Sequence, residues 1–296
     1  MKYIITGDWH LTDKKPENRI DDYEKAVLSK LLFIFETAKD CGCDAILQPG
    51  DMFDNPKPSY EFFCKILDMF NYFPEVSVYT IMGQHDLKYR NEADTALVTL
   101  HHACENVHLL KPSDEPMHIQ GCSWGQSIPD RNIEFRFSIL LIHKMIIDKK
   151  LWEDQEGHEF ANNFLKNNKY HLVVSGDNHK TFHLNLGNQH LFNMGSLLRS
   201  TIDQTEHEPS IIAFDTEYPE EWEVIKIPIE PSERVFQLET IVKQKERNEK
   251  LEAFVEGLTM QKDIGLSFVA DLMNYEEVNK IPPELIKIRR DSMVEV

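Results

Sequence analysis

Five short apolar runs in this chain each break off into a polar turn that carries a carboxylate, an imidazole or an amide. Residues 2–6 (KYIIT) run into Gly7-Asp8-Trp9-His10, and residues 44–49 (DAILQP) into Gly50-Asp51. Residues 76–82 (VSVYTIM) lead to Gly83-Gln84-His85-Asp86, and residues 137–142 (FSILLI) to His143. Residues 171–175 (HLVVS) end on Gly176-Asp177-Asn178-His179. Apolar runs of this length, bounded by turn residues, read as buried strands of an α/β sheet. Ligands in such sheets gather at the carboxyl ends of the strands, so the five turns are expected to converge on one edge. Carboxylates and imidazoles meeting there form a ligand set for divalent cations in a dinuclear site. A lone Asp after a strand is usually a turn former or helix cap, and a lone strand-end His is usually structural. Repetition at five independent strand ends is what removes coincidence.

Helical periodicity fills the gaps between the strands. Residues 21–41 place Val27, Leu28, Leu31, Leu32, Ile34, Phe35 and Ala38 on a buried face. Residues 59–73 do the same with Phe62, Phe63, Ile66, Leu67 and Phe70, and a third helix is expected over 93–104. Short strands dominate from 107 to 143, with further strands at 181–186, 189–193, 211–215 and 222–227. Pro228 and Pro231 then mark a boundary between a domain at 1–230 and a smaller region at 231–296. Residues 232–258 are helical in pattern and highly charged, with a polar gap between their apolar positions. That gap favours an amphipathic helix or helix pair over a continuous coiled coil; packing, docking and dimerisation are all open roles for it.

Composition narrows the setting. No stretch approaches the roughly 18 apolar residues of a membrane span, and the apolar run in MKYIITGDWH is too short for a signal peptide. The five cysteines, including a lone C-x-C at Cys41 and Cys43, lack paired zinc-type spacing and read as reduced thiols. A reducing cytoplasm is the expected compartment. The formal charge of −18 is not that of a protein with a broad basic nucleic-acid footprint. It leaves room for phosphate recognition by cations gathered at one site.

In their order, the five turns resemble the pattern of the calcineurin-like metallophosphoesterase family. That pattern is Asp-x-His, Gly-Asp-x-x-Asp, Gly-Asn-His-Asp/Glu, a lone His, and Gly-His-x-His. The resemblance covers residues 1–228 and implies a four-layer αββα sandwich with a small C-terminal helical appendage. Within the family, residues 50–59 (GDMFDNPKPS) are most similar to the SbcD nucleases, the DNA-end-processing branch. The implied activity is metal-dependent hydrolysis of DNA phosphodiesters, with an SbcC-type ATPase and a second copy of the chain as implied partners. Residues 231–296 are short beside typical members, so the capping or interaction region is reduced. Phosphodiesterase or phosphatase activity on nucleotides or phosphoproteins is the alternative. A catalytically silent scaffold is a second, against which the intact His85 and first-site ligands argue.

Carried over residue by residue, the resemblance implies that Asp8, His10, Asp51 and His179 hold one metal. Asp51 as a bridge, with Gln84, His143 and Asp177, would hold the second. His85 would act on the leaving oxygen or bind phosphate, and Asp54 matches the carboxylate that orients it. Two positions depart from the pattern: Gln84 stands for Asn, and Asp177 for the first His of Gly-His-x-His. Both fall on the second site, which is either retuned toward Mn2+ or Mg2+ by its extra oxygen, or weakened. Lys14, Lys15, Lys57, Lys88, Arg90, Lys144, Lys180 and Arg199 lie within a few residues of the motifs. They are either a basic rim facing DNA, with Lys57, Lys88, Arg90 and Lys180 as the substrate-binding candidates, or ordinary solvated loop charges. His101, His102, His108, His183 and His190 are expected to be surface or structural groups.

Overall fold

Neighbouring residues on the central strands point into different cores, as strands covered on both faces require. The computed structural model describes residues 1–88, 94–111, 118–150 and 156–237, together with residues 239, 242 and 247. Two compact units divide the chain, Met1–Leu238 and Glu239–Val296. Among the described residues, the first unit holds thirteen strands and five α-helices.

A six-stranded sheet has the order β13-β12-β1-β2-β3-β4. Strands β1 (Lys2–Ile5), β2 (Ala45–Gln48), β3 (Ser77–Thr80) and β4 (Val107–Leu109) run parallel. Strands β12 (Ser210–Asp215) and β13 (Trp222–Lys226) add antiparallel. A second sheet has the order β10-β11-β9-β6-β5. Its parallel strands are β5 (Ile119–Cys122), β6 (Ile139–His143), β9 (Leu172–Gly176) and β11 (Gln189–Asn193), with β10 (Phe182–Leu186) antiparallel at the edge. A short parallel pair, β7 (Ile146–Ile147) and β8 (Glu159–Phe160), completes the set.

The cores give the layer order. Tyr3, Ile5, Leu47, Ile139, Leu141, Leu172 and Val174 meet between the two sheets. Ile4 and Ile46 face the other way, packing with α1 (Tyr23–Asp40), α2 (Tyr60–Tyr72) and α3 (Ala96–Ala103) through Leu31, Phe35, Phe70 and Leu97. On the opposite side Leu140, Ile142 and Val173 pack with Phe164 and Leu165 of α4 (Ala161–Asn168). The expected αββα sandwich is therefore the observed fold. Sequence periodicity missed α4, whose ANNFLKNN is a poor helix former held by Ala161, Phe164 and Leu165 against the sheet.

The helix or helix pair expected over 232–258 starts where anticipated, with a first segment of one turn, α5 (Ser232–Val235). Phe236 is extended (φ −118°, ψ 156°), fully buried and bridged to Arg19, while the Gln237 N–H donates to the Asn18 carbonyl. Burying that aromatic ring beside Arg19 and Arg199 outweighs helix propensity. Beyond residue 237 that helix and the reduced capping region lie outside the described residues, apart from the helical residues 239, 242 and 247. Arg90 also lies outside them.

The histidines set aside as structural include His190, fully buried beside Phe192, and His183, stacked on Phe192 at 4.3 Å. Cysteines are free, and among the described residues no helix is long and apolar enough to cross a membrane.

Asn106 ties α2 to β3: its amide donates to the carbonyls of Phe70, Phe73 and Val76 at 3.2, 3.0 and 3.1 Å. Asn106→Leu removes all three of these buried hydrogen bonds, and urea denaturation should show a loss of about 1–3 kcal/mol, with metal uptake unchanged.

Candidate metal centre

The strand-end turns converge because backbone hydrogen bonds stitch them together. The N–H groups of Trp9 and His10 donate to the Asp51 carbonyl at 3.1 and 2.9 Å. The Asp8 N–H donates to Gly195 O at 3.0 Å, and β6 and β9 stay in register to the pair His143 and Gly176. Three candidate ligands sit in the left-handed region: His10 (φ 46°), Asp51 (φ 49°) and Asp177 (φ 79°). Such backbone costs on the order of 1–3 kcal/mol per residue and persists only where its surroundings over-determine it. Here close approach does so. A Cβ on Gly83 would collide with the Asp51 carboxylate and backbone, and one on Gly176 with Asp8 Oδ1, His143 Nδ1 and Pro49 O.

Asp8 and Asp51 are fully buried. Each has one oxygen satisfied by a backbone amide: Asp8 Oδ2 by Asp177 N at 2.9 Å, and Asp51 Oδ1 by His85 N at 2.8 Å. The other oxygen of each, Asp8 Oδ1 and Asp51 Oδ2, has no hydrogen-bond partner. His143 Nδ1 lies 2.7 Å from Pro49 O, which can only accept, so Nδ1 carries the proton. Its Nε2 is left pointing at Asp51 Oδ2 across 3.3 Å without making a hydrogen bond of acceptable geometry. His10 Nε2 and His179 Nε2 face one another at 3.0 Å, and lie 3.8 Å from Asp51 Oδ2 and 3.7 Å from Asp8 Oδ2 respectively. Bare lone pairs turned toward one another in a buried space are costly unless a cation lies among them. Three sets of ligand atoms lie within 4.8 Å of one another: Asp8/His10/His179, Asp8/Asp51/His143 and His10/Asp51/His85. Asp8 and Asp51 each belong to two of them, so the residues present fit divalent metal.

Ionisation points the same way. Burial raises the Asp8 carboxyl well above its ordinary range. Burial also works against the Asp51 carboxylate, but His143, His10 and the His85 amide outweigh it and hold that pKa low. Burial drives His10 down to about 3, leaving it a neutral donor, and lowers His179 too. For His143 burial is opposed and outweighed by Asp51 and Asp8, which raise it to about 10. In metal-free protein that imidazolium compensates the carboxylates, and a cation in its place would displace the proton.

Other expected site residues fall differently. Gln84 Nε2 donates to Asp177 Oδ1 at 3.1 Å, so the two departures from the family pattern engage each other. Asp177 is outside the three ligand sets. His85 Nδ1 rests on the backbone carbonyl of Asp54 at 3.0 Å, while the Asp54 carboxylate lies 4.0 Å away; the main chain, not the expected carboxylate, orients the ring. Lys57 and Lys88 both close on Asp94 Oδ2, at 2.6 and 3.3 Å, and Lys144 on Glu159 at 2.6 Å. Lys14, Lys15 and Lys180 are exposed without a carboxylate partner among the described residues. Arg199 leaves the expected rim altogether, being 3% exposed and bonded to internal carbonyls.

Sequence reasoning gave no role to three supports. Fully buried Gln48 exchanges hydrogen bonds with Gly50 (2.5 and 3.1 Å) and accepts from Thr80 at 2.5 Å, bracing two strand ends. Asp86 accepts from the amides of Met52, Phe53 and Gly83 at 3.2, 2.9 and 3.0 Å, and burial, then Asp51, push it up to about 7. Asn193 donates to Asn178 O and Lys180 O at 2.5 and 2.8 Å, fixing the turn that carries His179. For Gln48 and Asn193 the available signal was a polar amide within an otherwise apolar strand.

The sequence matches the family model for calcineurin-like phosphoesterases over residues 1–181. The chain belongs to that family and is a metal-dependent phosphoester hydrolase. The protein TT1561 of Thermus thermophilus is similar in fold, with TM-score 0.50, 15% identity, and coverage of 77% of this chain and 99% of that one. An archaeal protein characterised as a phosphodiesterase is also similar, with TM-score 0.42, 16% identity, and coverage of 76% and 99%. Among curated proteins none matches.

Metal titration at neutral pH, in buffers of different ionisation enthalpy, should show protons released as His143 gives up its proton. His143→Ala should reduce that release, leaving the share contributed by Asp8, and weaken affinity at least about tenfold. Because the Asp8 pKa is raised, its contribution to metal-free stability falls as the pH climbs above the ordinary carboxylate range. Chelated Asp8→Asn should therefore be no less stable than the parent at neutral pH, yet gain less from added metal in thermal denaturation.

Proposed function

We propose that this hydrolase cleaves phosphodiesters, with DNA as its substrate, and that His85 protonates the leaving oxygen. The observation that carries the reading is the placement of His85 at the mouth of the ligand cluster. Its side chain is 42% exposed, and its ring lies edge-on to His10 at 4.9 Å. With Nδ1 committed to a carbonyl, Nε2 is the nitrogen free to meet substrate. Asp8, His10, Asp51, His143 and His179 are proposed to hold two divalent cations, with Gln84 and Asp177 completing the second site. When bound, such a pair draws charge from the phosphoryl oxygens and lowers the pKa of water for in-line attack. The oxygen-rich donor set favours Mn2+ or Mg2+ over zinc.

DNA is supported by residues 50–59, the run most similar to the SbcD nucleases, because it forms the seat of His85. Asp54 supplies the carbonyl under the ring, and Ser59 caps α2. A second reading, a small nucleotide diester, is favoured by Asp94, which neutralises Lys57 and Lys88 where a long polyanion would meet them. Single- and double-stranded DNA should be assayed beside bis-p-nitrophenyl phosphate with Mn2+. Diester turnover with no DNA cleavage would reject the nuclease in favour of the small substrate. His85→Ala should lower kcat by about 10²–10⁴ while metal uptake is retained. Unchanged turnover would remove His85 from the mechanism.

A further inference from the structure

A cleft of about 530 Å³ opens between α1 and the segment running from Ile227 to Val235, and Arg19, Lys30 and Arg199 line it. Two of these cations are almost wholly buried, Arg19 at 6% and Arg199 at 3% exposure. Arg19 is matched, since its Nε and Nη2 grip Asp21 at 2.8 and 2.7 Å. Arg199 makes no ion pair: its hydrogen bonds go to the carbonyls of Thr205 and Glu230 and to the Ser232 hydroxyl, at 3.3, 2.6 and 3.1 Å, all neutral acceptors. The Lys30 ammonium donates to Leu197 O at 2.8 Å and has no carboxylate partner among the described residues.

The acids that also line the cleft do not cancel this charge. Asp22 caps α1 through the Lys25 amide, Glu230 pairs with Arg234 at 3.4 Å, and Asp21 is held by Arg19. Glu36, on α1, makes no ion pair with these cations. Burial, then Arg199 and Arg19, push Lys30 down to about 7. Asp21 acts on both Lys30 and Arg199, and Glu206 on Arg199, but neither acid makes a direct ion pair with Lys30 or Arg199. A semi-buried cation without a contacting carboxylate is costly. An anion entering the cleft would meet an ammonium bonded to one carbonyl and a guanidinium hydrogen-bonded only to neutral groups.

We propose that this cleft binds a phosphate-class oxyanion, held by Lys30 and Arg199. Its volume is in the range of small-ligand pockets, so the phosphate can carry an organic group such as a nucleoside. The site is separate from the metal centre but shares its support: Leu197 N–H donates to Asp8 O at 2.8 Å.

The test uses full-length protein freed of metal by chelation and dialysis, which removes anion binding at the metal centre. Inorganic phosphate and a nucleoside monophosphate are titrated in chloride buffer by calorimetry and thermal denaturation. One saturable, salt-weakened site per chain is expected. Lys30→Gln should weaken it at least about tenfold without lowering the melting temperature in phosphate-free buffer, and Lys30→Arg should retain it. A tighter monophosphate identifies a nucleotide ligand, and equal affinities identify phosphate itself; both support the site. The proposal fails if the parent binds neither probe saturably, or if Lys30→Gln binds as the parent does. A second arm uses Mg2+-loaded protein, in which the parent should take up one more phosphate than Lys30→Gln. Equal uptake overturns the proposal.

Discussion

Two buried carboxylates set the terms for the rest of this structure. Asp8 and Asp51 each surrender one oxygen to a backbone amide and keep the other bare. The amides aim the side chains, and the bare oxygens create a demand that only a cation or a proton can meet. Everything nearby answers one half of that arrangement. Gly83 and Gly176 give the carboxylates room, Gln48 and Asp86 hold the strand ends that carry them, and His143 offers either a proton or a lone pair. Removing any one support moves an oxygen, and a metal site displaced by an ångström is a different site.

The sandwich and the ligand cluster were legible in the sequence for the same reason. Strands buried on both faces must be apolar throughout, so the residue that ends the run is conspicuous, and parallel topology sends all such ends to one edge. What was hidden was whatever depends on main-chain atoms or on charges distant in sequence. The seat of His85 is a carbonyl of Asp54, which any residue at that position would provide. Asp94 quenches Lys57 from 37 residues away, and no local pattern announces it. α4 escaped because its asparagines obscure the period that Phe164 and Leu165 satisfy in the core. The end of the first helical segment at Phe236 was hidden because an aromatic slot between two arginines exists only after folding.

Charge on this molecule is organised by depth. Near the mouth of the centre Lys57, Lys88 and Lys144 are spoken for by carboxylates, at Asp94 and Glu159. Beneath the surface beside α1, Arg199 and Lys30 lean on neutral carbonyls. A whole-chain charge of −18 therefore says little about where an anion would settle.

The sheet order carries a consequence for assembly. β1 is flanked by β2 on one side and by β12 on the other, and the Asp8 turn is closed by Gly195 and Ser196. A growing chain thus cannot complete its first strand until some 200 further residues have emerged. Until then β1 has an open edge, and Asp8 lacks both its backbone partner from Asp177 and the company of His179. Such long-range pairing slows folding and leaves an apolar edge exposed during it. The complete ligand set around Asp8 accordingly exists only once the turn at residues 177–179 has docked against it.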